Sequence, residues 1–177
     1  MLFGRTTLRN VCLVLAVICP ALVTAEPLSG GSRDYLGLHV RGATPKIKAL
    51  IEDGIRRSPT FRTLVERLNK SDVVVYLNVT RDMPAGLDGR LSFMTYAGSV
   101  RYLHAQVLEG LGTDATIAVA AHELQHAVEV AEHVEVRSAD ALAVLYERIG
   151  ERSPVAHNRY DTAAARTTGR RVRQELG

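Results

Sequence analysis

The chain has 177 residues, 46% of them apolar, with 22 basic residues against 19 acidic ones and only two cysteines. That length suits one globular domain, and the apolar content excludes a disordered or low-complexity chain.

Residues 1–25 read as a secretory signal and not as part of the fold. Arg5 and Arg9 precede a short apolar core from Val11 to Val23, and Val23-Thr24-Ala25 offers small residues for cleavage after Ala25. The apolar run, roughly 14 residues, is short of the ~20 that span a bilayer. Ile18 before Cys19 also argues against a lipoprotein. Removing the signal takes both cysteines and two arginines, leaving 20 basic residues against 19 acidic ones. So near a balance gives no electrostatic reason to expect nucleic acid as a partner. The secreted or periplasmic domain is then expected to be held by its core, or by its core and a metal.

Residues 26–34 form a polar, glycine-containing mature N-terminus, and 35–177 the domain. Tyr35 to Val40 reads as a short strand. From Pro45 to Asn69 apolar residues recur at spacings of three and four, which predicts helix, broken in two at Ser58-Pro59. VVVYLNV after Asp72 predicts a buried strand. Arg81 to Asp88 reads as a loop, and Leu91 to Tyr96 with Val100 to Leu108 flank Ala97-Gly98-Ser99 as a hairpin. Thr113 and Asp114 offer an N-cap for a helix reaching about Ala131. Ser138 caps the next helix and Gly150 stops it, and Asn158 or Asp161 starts the last. This order predicts an α+β domain with a short mixed or antiparallel sheet.

The chemistry concentrates in IAVAAHELQHAVEVAEH, residues 117–133. His122 and His126, four apart, share one helical face and can hold one metal ion, whereas Glu123 lies about 100° to the side, where a base beside the metal would stand. Ile117, Ala120, Ala121, Leu124, Ala127 and Val128 occupy the opposite side, so burying them turns the histidines into a cleft. Glu123-x-x-His126 also fits half of a carboxylate-bridged di-iron site, but that bundle needs two such motifs.

The third ligand is open among several acids. Glu129 stands about 10 Å along the axis from His122, which suits a partner of His126 better than a shared ion. Glu132 points some 80° off the histidine face, His133 lies farther away, and Asp140 is a first-turn acid favoured by the helix dipole. Asp161 aligns with Ala164, Ala165, Thr168 and Val172 on the small-residue face of the last helix, which is expected to pack inward. Either a ligand or an N-cap acid fits it, and Tyr160 beside it can reach the cleft. His39, His104 and His157 read as packed or surface histidines, and the arginines of the last helix as a solvated face.

HELQH, preceded by a strand hairpin and followed two helices later by Tyr160-Asp161-Thr162-Ala163-Ala164, resembles the zincin metallopeptidases, in a compact gluzincin-like form. The resemblance spans about residues 90–165. It implies Zn2+ on His122 and His126, an acid on a later helix completing the site, and Glu123 as general base. It also implies a peptide or protein substrate added as a strand to the one preceding the active helix, here Gly98 to Leu108. The acid at 161 is Asp where gluzincins carry Glu. Tyr160, Tyr96 and Tyr102 are the oxyanion candidates. The alternative is a non-catalytic exported domain that binds metal or a protein partner, which would need the ligands but not Glu123.

Overall fold

Ser58-Pro59 does break the first helical stretch. In the computed structural model, which describes residues 38–152 and 160–177, helix α1 (Pro45–Arg57) ends there and α2 (Pro59–Asn69) begins. Ser58 caps both: its N–H closes α1 onto Gly54 O, and its Oγ accepts from Phe61 N at 3.0 Å. Before them lies strand β1 (Val40–Gly42), after them β2 (Val73–Thr80), then β3 (Gly89–Ala97) and β4 (Val100–Leu108) as a hairpin. Three helices follow, α3 (Thr113–Glu132), α4 (Ala139–Ile149) and α5 (Ala163–Leu176), with a two-stranded ladder of β5 (Glu151–Arg152) and β6 (Tyr160–Asp161) between the last two. The described residues thus form an α+β fold with five helices, and all fall within one compact unit, Ser32–Gly177. The expected signal peptide, polar N-terminus, first part of the Tyr35–Val40 strand, Pro154 loop, His157 and Asn158 lie outside the described residues.

The sheet is mixed, ordered β1-β2-β4-β3, with β1, β2 and β4 parallel and β3 antiparallel to β4. Val73, Val75 and Leu77 of β2 and Leu103, Ala105 and Val107 of β4 are buried, as are Ile47, Ile51, Phe61, Leu64 and Leu68 of α1 and α2 and Ile117, Leu124 and Val128 of α3. Alternate strand residues therefore build the core, while Tyr76, Asn78, Tyr102 and His104 on the other face are half-buried. No helix among the described residues is long and apolar enough to cross a membrane.

Three local expectations need correction. The strand expected to receive a substrate, Gly98 to Leu108, has no free edge: β4 is paired along its length with β2 and on its other side with β3. The hairpin turns back so that its second strand enters the parallel sheet, which leaves the first strand, β3, at the border. Gly112 is the N-cap of α3 and leaves Thr113 and Asp114 in the first turn, where Asp114 still meets the positive end of the helix and pairs with Arg57 at 2.7 Å. Asp161 lies not on the last helix but two residues before it, in β6, since Thr162 takes the N-cap and accepts from Ala165 N at 3.0 Å.

Arg101 fixes the far end of α3. Its guanidinium is fully buried and bonds Asp72 through Nε (2.8 Å) and Nη2 (2.5 Å), while Nη1 donates to Val130 O and His133 O, both at 2.7 Å. A cation on the last carbonyls of a helix satisfies acceptors that have no intrahelical partner and opposes the negative end of the dipole.

Candidate metal centre

The histidine helix is more deeply buried than an amphipathic stripe predicts. Ile117, Ala120, Ala121, Leu124, Ala127 and Val128 are all buried as expected, but so are Glu123, His126 and Glu129 on the other sides. Helix α5 and strand β6 cover the polar face. Gly169 of α5 permits the approach: a Cβ there would stand 3.3 Å from Ala118 O and 3.4 Å from His122 Cβ.

On that covered face three acceptor atoms converge. His122 Nε2 and His126 Nε2 are 3.2 Å apart, and Asp161 Oδ1 is 3.2 Å from the first and 3.5 Å from the second. Tetrahedral zinc with ligand bonds of 2.0–2.1 Å would set its ligand atoms about 3.3–3.4 Å apart. The triangle is therefore small enough for all three atoms to reach one metal ion. Asp161 Oδ1 is buried and accepts no hydrogen bond, so this carboxylate oxygen, aimed at two imidazole nitrogens, is compensated only by positive charge. Among the described residues this is the group of side chains able to hold a metal ion.

The surroundings settle which nitrogen of His126 faces the triad. His126 Nδ1 stands 2.9 Å from Glu129 Oε2, and Glu129 Oε1 accepts from Thr162 Oγ1 at 2.7 Å. Burial acts to raise the Glu129 pKa, but hydrogen bonds from His126, Thr162 and Tyr146 outweigh it and hold the carboxyl below its ordinary range. An ionised carboxylate only accepts, so Nδ1 carries the hydrogen and Nε2 is left for the triad. Tyr146 closes the back of the site: its hydroxyl donates to His126 O at 3.0 Å, and its ring meets the His126 ring edge-on at 5.0 Å.

Charge at the site follows from burial and neighbours. Burial, then the neighbouring His126, pull His122 down to about 4, which keeps its imidazole neutral. Burial also opposes charge on His126, but the adjoining carboxylates of Asp161 and Glu129 outweigh it and raise the group to about 9. Glu123, 4% exposed, is pushed up to about 7 by burial foremost. It stands outside the triad, toward β3, with its Oε1 where a Cβ on Gly89 would come within 2.4 Å.

The chain matches no protein-family model, no curated protein and no solved structure. Function must therefore be argued from the site itself.

Of the residues singled out in the sequence, His122, His126 and Asp161 meet at one point, Glu123 stands beside them and Glu129 behind. The others lie elsewhere. Glu132 pairs with Arg67, His133 with Glu135, and Asp140 is exposed in the first turn of α4. His39 Nδ1 is 3.0 Å from Val73 O, and His104 is half-buried on β4, its pKa lowered by burial and Arg90. Tyr160 neighbours Asp161 on β6 and is half-buried. Tyr96 lies near the outer end of β3 under the Arg137 guanidinium, and Tyr102 stacks with Tyr76 on the half-buried face of the sheet. Sequence reasoning did not single out Thr162, Tyr146, Gly89 or Arg101. Thr162 carried a usable signal, a capping hydroxyl just before a helical run. The other three matter only through what folding brings against them.

Proposed function

We propose that the chain is a zinc-dependent peptidase of the zincin type, with zinc on His122, His126 and Asp161 and Glu123 as the proton-transferring base. The observation that carries this reading is the triangle of Nε2, Nε2 and Oδ1 with edges of 3.2, 3.2 and 3.5 Å around a buried, unpartnered carboxylate oxygen. Nitrogen and carboxylate donors suit zinc, and three protein ligands leave a coordination position open.

Zinc held there supplies Lewis acidity, which lowers the pKa of water toward ~7 and polarises a carbonyl. Glu123 takes the proton of the attacking water and returns it to the leaving amine. His126 keeps Nε2 directed at the triad because Glu129 holds its Nδ1 proton. The border strand β3 begins at Gly89 against Glu123, and an extended peptide paired along β3 would pass the base. Peptides are the substrates this arrangement fits, and the signal-like first 25 residues support action outside the cytoplasm.

Glu123→Gln separates this reading from a non-catalytic metal-binding domain. The variant is expected to bind zinc as tightly as the unmodified chain and to lose cleavage of a peptide library by more than about 100-fold, since general base catalysis alone contributes 10²–10⁴. Zinc binding without cleavage by the unmodified chain would establish the non-catalytic alternative. Undiminished cleavage by Glu123→Gln would remove Glu123 from the mechanism, and absence of zinc binding would end both readings.

A further inference from the structure

Thr162 has one hydroxyl and two partners. It accepts from Ala165 N at 3.0 Å, as the N-cap of α5, and it stands 2.7 Å from Glu129 Oε1. The backbone N–H can only donate, so the single hydroxyl proton goes to the carboxylate. Both ends of that hydroxyl are buried, as is Thr162 itself. Glu129 is then held at both oxygens, by Thr162 on Oε1 and by His126 Nδ1 on Oε2. The residue before Thr162 is Asp161, whose Oδ1 stands 3.5 Å from Nε2 of the same histidine. A closed circuit results, from His126 through Glu129 and Thr162 to Asp161 and back. It spans two elements, α3 and the start of α5, that are far apart in sequence.

We propose that Thr162 is a positioning residue for His126: its hydroxyl ties the capped start of α5 to Glu129, so that docking of α5 and the orientation of the imidazole become one event. If α5 moves off, Glu129 loses the Thr162 donor at Oε1 and Asp161 leaves the triangle together. Conversely, an ion on the triangle holds the start of α5 down, because coupling between two sites acts equally in both directions.

The inference rests on the zinc reading for its affinity readout but not for its spectroscopic one. In the metal-free chain the His126 Nδ1 proton is expected as a slowly exchanging resonance in proton NMR. Thr162→Val, compatible with the extended backbone at φ −109 and ψ 150, is expected to speed its exchange with water at least tenfold, and Thr162→Ser to restore it. Zinc affinity, measured by competition with a chromophoric chelator, is expected to fall about 10–100-fold in Thr162→Val. If Thr162 acts through Glu129, then Thr162→Val in a Glu129→Gln background weakens binding no further. Additive losses would make Thr162 a helix cap and nothing more, and unchanged exchange and affinity would overturn the proposal outright. Should the valine variant fail to fold, Thr162→Gly keeps most of a cap's stability without a hydroxyl and carries the same comparison. If the unmodified chain binds no zinc, the peptidase reading falls alone, and proton exchange still decides the role of Thr162.

Discussion

Gly89→Ala tests whether the border strand positions Glu123, the proposed base. A Cβ at Gly89 would lie 2.4 Å from Glu123 Oε1 and 2.7 Å from Val119 Cγ1, where ordinary contact begins at 3.4 Å. The carboxylate must therefore retreat by about 1 Å, and it can, being the end of a flexible side chain. Misplacing a catalytic group by that much costs on the order of 100-fold in rate. The fold pays little: overpacking costs about 1–3 kcal/mol, and replacing a strand glycine by alanine returns roughly 0.5–1 kcal/mol. The atoms nearest a Cβ at Gly89 belong to Glu123 and Val119 and not to the triad, so zinc affinity is expected to stay within about threefold, well inside the 10–100-fold that disturbing a ligand's supporting shell costs. The assay pairs kcat/KM on a fluorogenic peptide with chelator competition for zinc and a urea melt. The expected pattern is lost turnover with retained zinc and fold, and no further loss when Gly89→Ala is added to Glu123→Gln. Turnover equal to that of the unmodified chain would refute the argument that β3 sets the position of Glu123, and loss of zinc would show that the glycine acts on the whole site.

Other consequences can be measured on the same protein. Asp161→Ala is expected to weaken zinc binding by more than about 100-fold, beyond the range for supporting residues, while Glu132→Ala and Asp140→Ala leave it unchanged; equal affinity in the Asp161 variant would remove it as a ligand. Zinc at 100 times its Kd should stabilise the chain by about 2.7 kcal/mol, which raises Tm by roughly 5–10 °C for a domain of this size, and a chelator should reverse the shift. Arg101→Met strands the carbonyls of Val130 and His133, at about 1–3 kcal/mol each, so a loss of roughly 2–5 kcal/mol is expected in urea melts of the chelated protein; under about 1 kcal/mol would show that water replaces the guanidinium. The Arg101 hydrogen bond lowers the Asp72 pKa from its ordinary 3.8, and hydrogen bonds from Ser58 and Thr60 outweigh burial to lower Glu175 from 4.5. Both groups are more acidic folded than unfolded, so their stabilisation is complete above about pH 5 and is lost as pH falls through the depressed values. Asp72→Asn with Glu175→Gln should flatten the fall in urea midpoint between about pH 5 and 3, and an unaltered slope would assign it to other carboxylates.

Much of this protein follows from local sequence. Spacings of three and four, the Ser58-Pro59 break, the β-branched run after Asp72, the hairpin and the Ser138 cap each act within a few residues, and each element stands within a few residues of where those signals put it. HELQH places two imidazoles on one face by helix geometry alone, and Glu129 falls behind His126 by the same rule. The pairing of strands was not legible, because hairpin residues do not encode which of their two strands a third will join. That decision made β3 the border and placed Gly89 against Glu123. Sequence could rank Asp161 above the other acids but could not place it: its approach to the histidines depends on β6 pairing with β5 and on α5 packing close to α3 at Gly169. The sequence by itself determined the pair of histidines and the carboxylate of Glu123 between them. Only the tertiary structure brought the third acceptor, Asp161, to the histidines and the capping hydroxyl of Thr162 to Glu129, because both come from residues more than thirty positions away and are set by packing, not by periodicity.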